Sequence, residues 1–232
     1  MKTVICENSQ LASKAAEHIR SLLEKKPDAV LALSAGRTMN GLWQCLGEMC
    51  SAGEISFRFA RIFLTAELMD TDENMSCRHA LETGLLDKTD IDRSNCFFPD
   101  ALCPEIYDEL IEKLGGIDLA VLGIGENCHI GYNEPGTLFD THTRVQKLTD
   151  RTKRQLRNRG FSDENMPEQA VTMGIKTLTS ARDIMLIAEG EDKSSAVFQM
   201  VYSKTITYIP ASFLQIPLEV TAYLDTAAAD RL

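Results

Sequence analysis

Ile117-Asp118-Leu119-Ala120-Val121-Leu122-Gly123-Ile124-Gly125-Glu126-Asn127-Cys128-His129-Ile130-Gly131-Tyr132-Asn133-Glu134-Pro135 is the stretch on which the reading of this chain turns. The apolar run Ile117–Leu122 reads as a buried strand. Three glycines, a histidine and two glutamates then follow within a dozen residues. An α/β protein builds a site this way: a hydrophobic strand stops, glycines turn the backbone, and ionisable groups collect at the strand's carboxyl end. His129 and Glu134 are residue types that move protons near neutral pH. A merely solvated turn between strand and helix would use similar residues, so the rest of the chain has to weigh in.

Working outward, the rhythm is strand, helix, strand, helix. Thr3–Cys6 reads as a strand, and Ser9–Lys25 carries apolar residues at helical spacing with Ser9 as its cap. Ala29–Leu33 is a continuous apolar strand, followed by a helix from about Asn40 to Ser51. Phe59–Thr65 reads as a strand and Ala66–Asp72 as the loop after it. Glu105–Leu114 is a helix, Asp183–Ala188 a strand, Gly190–Lys193 a turn into a helix through Tyr202, and Val220–Leu224 a last strand. This alternation implies an α/β fold with a mostly parallel sheet covered by helices on both faces, and 232 residues suffice for one large domain or two small ones. Ligands of such sheets bind beyond the strands' carboxyl ends, and four polar loops fall there: Ser34–Thr38, Thr65–Asp70, Gly123–Glu134 and Gly190–Lys193. The segment from about 140 to 168 differs in character. It is basic in its middle and reads as a helix or flap able to cover a site, or as a solvated amphipathic helix.

Composition narrows the partners. The 232 residues are 44% hydrophobic and 25% charged, with a net charge of 24 − 34 = −10. An acidic chain with no long block of one sign is a poor match for nucleic acid or an anionic membrane. Seven scattered cysteines, none in a C-x-x-C pair, argue against zinc or a disulfide framework. Cys128 reads as a small buried filler rather than a reactive thiol. No signal-like start and no apolar run of about 18 residues are present, so the expected location is the cytoplasm.

Two loops suit a phosphate. Ser34-Ala35-Gly36-Arg37-Thr38 joins a strand to a helix, where backbone N–H groups and the Thr38 hydroxyl face an anion. Lys193 opens a later helix, where a cation opposes the helix dipole unless an anion binds in front of it. A mobile surface lysine is the alternative.

With these residues in view, the chain resembles the glucosamine-6-phosphate deaminase/isomerase family, which is related to the 6-phosphogluconolactonases. The anchors are Ser34–Thr38, Gly123–Pro135 with its His-Ile-x-x-Asn-Glu-Pro, Thr143–Val145, Leu148-Thr149, Met166-Pro167, Ala170–Gly174, Lys193, and Pro210–Ser212 with Leu214-Gln215. The resemblance implies a single domain over 1–232 with a modified Rossmann-like sheet, and a hexose 6-phosphate, here a glucosamine or galactosamine 6-phosphate, whose ring is opened, isomerised and deaminated without a metal or organic cofactor. It places the phosphate on Gly36, Arg37, Thr38, Lys193 and a flap arginine, Arg157 or Arg159. It gives His129 the ring-opening role, with Glu134 orienting or sharing its proton.

The chain departs from the family at two acidic positions. Ala66 stands where the family has the aspartate that moves the proton between carbons 2 and 1, and Asn127 stands where it has a relay aspartate. Glu67 and Asp70 are the candidate replacement bases, although strand alternation turns Glu67 away from the side that position 66 faces. Three readings stay open: a deaminase/isomerase working through another base, a phosphosugar-binding or regulatory protein without turnover, and a lactonase-like hydrolase in which His129 activates water. Family members with hexameric allostery use a basic site that Arg144 matches in part, but Gln146 takes a lysine's place and the carboxyl end is short. The expectation is a monomer or homodimer.

Overall fold

Seven parallel strands line up in the order β1 (Lys2–Cys6), β10 (Val220–Asp225), β9 (Asp183–Ala188), β6 (Leu119–Gly123), β2 (Val30–Leu33), β3 (Arg61–Leu64) and β5 (Cys96–Phe97), in a computed structural model that describes residues 1–232. All six pairings are parallel. The central strands β2 and β6 are continuously apolar because both faces are covered, and alternation sorts the inner strands' side chains into two cores. Leu31, Leu33, Leu119, Val121, Met185 and Ile187 join one core; Val30, Ala32, Ala120, Leu122, Ile184 and Leu186 join the other. Helices α1 (Asn8–Lys25), α2 (Asn40–Ser51) and α3 (Cys77–Gly84) close the first core. Helices α4 (Pro104–Lys113), α6 (Ile175–Thr179) and α7 (Ser194–Tyr202) close the second. Each such side chain taken fully out of water contributes about 1.5–3 kcal/mol before entropy is charged against it.

Strand order locates the crevice. From β2 the chain builds outward through β3 to β5, then returns to place β6 on the other side of β2 and builds towards β9 and β10. Loops leaving β2 and β6 therefore diverge, and the gap between them is the natural ligand crevice of an open parallel sheet. Ser34–Met39 and Gly123–His129 are those two loops.

The structure adds what periodicity did not reveal. Ala66–Leu68, expected as loop, is strand β4, and it pairs antiparallel with β8 (Gln169–Thr172), which pairs in turn with β7 (Arg144–Lys147). This small second sheet stands over the carboxyl ends of the large one. The basic segment is not one helix. It holds β7, then α5 (Asp150–Arg157) capped by the Thr149 hydroxyl, which accepts from Thr152 N. The first helix begins at Asn8 rather than after Ser9, and Glu7, not Ser9, is at its N-cap, with no side-chain cap bond. No helix is long and apolar enough to cross a membrane.

Candidate active site

A cavity of about 620 Å³ opens beyond the carboxyl ends of β2, β3, β6 and β9. All four polar loops contribute to its wall, and α5 with the residues just after it forms one side. His129, Gly36, Arg37, Thr38 and Lys193, drawn from three separate strand ends, face this one space.

His129 is aimed by the turn before it. Gly125 N–H donates to the His129 carbonyl and Cys128 N–H to the Gly125 carbonyl, each at 2.9 Å. Closing this turn places Cys128 at φ 66°, a left-handed conformation that costs a non-glycine residue about 1 kcal/mol or more. Gly125 has a different reason to be glycine. A Cβ there would come within 2.5–2.7 Å of the imidazole ring, so the ring lies flat against bare backbone. Cys128 itself is buried, its thiol at 3.9 Å from the Ala196 carbonyl, and burial raises its pKa.

Behind the imidazole sits Glu134, 2% exposed. Its Oε2 lies 3.7 Å from His129 Nδ1, accepts from Asn127 Nδ2 at 2.7 Å and from Thr149 Oγ1 at 3.1 Å, while Oε1 accepts from Thr149 N at 3.3 Å. Burial alone would raise the carboxyl's pKa. The His129 imidazole and the surrounding hydroxyl and amide donors outweigh it and hold the pKa down at about 2. Thr152 Oγ1 is 3.3 Å from His129 Nδ1. A carboxylate beside Nδ1 favours the tautomer with its proton on that nitrogen, which leaves Nε2 basic. Asn127 does not touch the imidazole. Its Nδ2 holds Glu134 and its Oδ1 accepts from the backbone N–H of His129 at 3.3 Å. Thr149 and Thr152 were missed as partners of this pair; the one sequence signal was a threonine placed to cap a helix.

At the strand β2 loop, Gly36 has φ 174°, open to any residue, and a Cβ there would meet nothing within 4 Å. The fold does not require glycine at this point; a side chain would instead occupy the cavity. Lys193 is half of an ion pair with Asp192 at 2.8 Å, at the end of a 3-10 turn that precedes α7. Glu189 also lines this end, its carboxyl raised by burial and by Asp225, against a downward pull from Asn8 and Arg37.

Three candidates fall elsewhere. Glu67 turns away from the cavity: its carboxylate accepts the backbone N–H groups of Leu68, Cys77 and Arg78 at 2.7–2.8 Å and so caps α3. Ala66, its neighbour on β4, is the residue that faces the cavity. Asp70 is exposed, sits in a left-handed turn at φ 54°, and does not line the cavity. Arg157 points out and pairs with Asp163 at 2.6 Å. Arg159 turns inward and lies beside the Tyr132 hydroxyl and the Cys77 thiol. Lys153 is neutralised by Glu168 at 2.5 Å, so the basic segment spends part of its charge locally.

Residues 7–222 match the model of a family described as glucosamine-6-phosphate isomerases/6-phosphogluconolactonase. A glucosamine-6-phosphate deaminase of Mycoplasma mycoides subsp. mycoides is 37% identical over 240 residues, covering 100% of this chain and 98% of the relative. One from Rhodopirellula baltica is 37% identical over 237 residues, covering 99% and 94%. Among solved structures, a monomeric glucosamine-6-phosphate deaminase superposes with a TM-score of 0.94 at 32% identity, covering 99% of both chains. A 6-phosphogluconolactonase of Leishmania guyanensis superposes at 0.78 with 20% identity, covering 100% of this chain and 98% of that one, a likeness of fold alone. On sequence and on fold, over nearly its whole length, this chain belongs to the glucosamine-6-phosphate isomerase/6-phosphogluconolactonase family.

Proposed function

We propose that the chain binds a hexose 6-phosphate and opens its ring, and that it deaminates an amino-sugar 6-phosphate slowly for want of a carboxylate at carbon 2. The phosphate is assigned to the Gly36–Thr38 loop, Lys193 and Arg159, the flap arginine that lines the cavity. Ring opening moves the anomeric hydroxyl's proton to the ring oxygen; Nε2 of His129 can take the one and return it to the other while Glu134 holds the imidazole in place. The reading needs no metal or organic cofactor.

One observation carries the second half. Ala66 faces the cavity where the family resemblance calls for a base, while the Glu67 carboxylate is occupied by three backbone donors and Asp70 is outside the cavity wall. A positioned general base is worth about 10²–10⁴-fold in rate. Ammonia release from glucosamine 6-phosphate and galactosamine 6-phosphate by wild type and Ala66→Asp tests this. Slow release by wild type and a rise of about 10²-fold in the variant is the expected result. Rapid release by wild type that is lost on Ala66→Asp would show that another group is the base.

A further inference from the structure

The Nδ1 side of His129 is not a simple histidine–carboxylate pair. Glu134 Oε2 is 3.7 Å from Nδ1, beyond hydrogen-bond reach. Asn127, which stands where the resemblance calls for a relay aspartate, bonds to Glu134 and to the backbone N–H of His129, not to the ring. The side chain that does reach Nδ1 is Thr152, whose Oγ1 is 3.3 Å away. Thr152 is 1% exposed, so its hydroxyl is kept for protein partners.

Thr152 comes from a different part of the fold. His129 and Glu134 follow β6, whereas Thr152 is in the first turn of α5. Thr149 fixes that turn against the pair. Its Oγ1 accepts from Thr152 N at 3.3 Å as the helix cap, donates towards Glu134 Oε2 at 3.1 Å, and lies 3.3 Å from Thr152 Oγ1. The cap thus sets Thr152 beside both the ring and the carboxylate, and the Thr152 hydroxyl is one of the donors that hold the Glu134 pKa down.

What each group is able to donate then fixes the direction of each bond. A carboxylate only accepts, so the single hydroxyl proton of Thr152 goes to Glu134. Thr152 has a lone pair left for His129, and a lone pair needs a proton on Nδ1. A neutral imidazole protonated there has a free pair on Nε2.

We propose that Thr152 is a positioning residue of the proton relay: its hydroxyl, anchored on the Glu134 carboxylate, accepts from Nδ1–H and commits His129 to the tautomer whose Nε2 is basic. This role rests on His129 acting through Nε2, as in the ring-opening reading. It makes α5 a working part of the relay as well as a wall of the cavity. It also gives Glu134 a hydroxyl-bridged hold on the ring where position 127 supplies no acid.

Nitrogen-15 NMR of the histidine rings at about pH 8.5, above the ordinary imidazole range, reads the tautomer, with His129 assigned by the loss of its signals in His129→Gln. In wild type, Nδ1 of His129 is expected to carry the proton. Thr152→Val, nearly the same shape without the hydroxyl, should mix the two tautomers, and Thr152→Ser should restore the wild-type one. Exchange NMR between the anomers of glucose 6-phosphate, a ring opening that needs no base at carbon 2, reads the consequence. Thr152→Val should lower kcat about 5- to 10-fold with KM unchanged, since one hydrogen bond is worth about that factor, and Thr152→Ser should recover most of it. In a Glu134→Gln background the same change to valine should cost less, because the charged anchor of the bridge is already gone. A proton on Nε2 in wild type overturns the bridge. So does an unchanged tautomer in Thr152→Val, or losses from the two substitutions that add in full. If wild type shows no catalysed anomer exchange, ring opening by His129 falls, while the tautomer spectra still decide the bridge.

Discussion

Glu134→Gln is the substitution whose effect the structure specifies most fully. The carboxyl is buried, accepts from Asn127 and Thr149, faces His129, and has its pKa depressed from 4.5 to about 2. A folded-state pKa below the unfolded one means that the unfolded chain binds the proton more readily as pH falls. The stability this group contributes is therefore fully present above pH 4.5 and is lost as pH drops towards 2. The full difference of 2.5 units corresponds to about 3 kcal/mol at 1.36 kcal/mol per unit, and about 2 kcal/mol of it should be gone by pH 3. Glutamine keeps the shape but has no proton to gain. Urea unfolding of both proteins at pH 7, 5, 4 and 3 isolates the term, because other carboxylates titrate alike in the two and cancel in the difference. Wild type should begin more stable at pH 7, with the gap narrowing by about 2 kcal/mol by pH 3. Parallel stability curves across that range would refute the claim that donors and imidazole outweigh burial at this carboxylate.

Three further perturbations have defined outcomes. Gly125→Ala forces a methyl group against the His129 ring; a shift of about 1 Å in that ring should lower ring-opening or deaminase turnover by about 10²-fold, read as kcat, while unfolding changes by no more than about 1–3 kcal/mol. Asp192→Asn releases Lys193 from its 2.8 Å partner and should tighten inorganic phosphate about 2- to 5-fold at low ionic strength, a gain that vanishes near 1 M salt; weaker binding would place the anion elsewhere. Asp118→Ala removes a buried carboxylate that accepts from Val30 N, Lys26 and Arg182 at the amino end of β6, so it should cost about 1–3 kcal/mol in urea unfolding yet leave phosphosugar affinity unchanged.

Local rules carry the parallel sheet and the strand-end loops in this chain, while the pairing of His129 with Glu134 is what the family resemblance implied. Continuous apolar runs such as Ile117–Leu122 mark strands with both faces covered, and the glycines after them mark turns, because each follows from a few neighbouring residues. What local rules cannot supply is partnership across the chain. Ala66–Leu68 is a strand only because Ala170–Thr172 lies against it, more than a hundred residues away. Strand alternation already opposed Glu67 to Ala66, but the pairing decides that Ala66 is the one facing the cavity, and the capping of α3 by the Glu67 carboxylate depends on where Cys77 and Arg78 come to rest. The choice between Arg157 and Arg159 is of the same kind. Two residues apart, one pairs with Asp163 in solvent and the other reaches Tyr132 and Cys77, and only the packing of α5 over the sheet separates them. The residue types for a site are thus written along the strand ends, while which carboxylate or cation actually faces the ligand depends on contacts between segments distant in sequence.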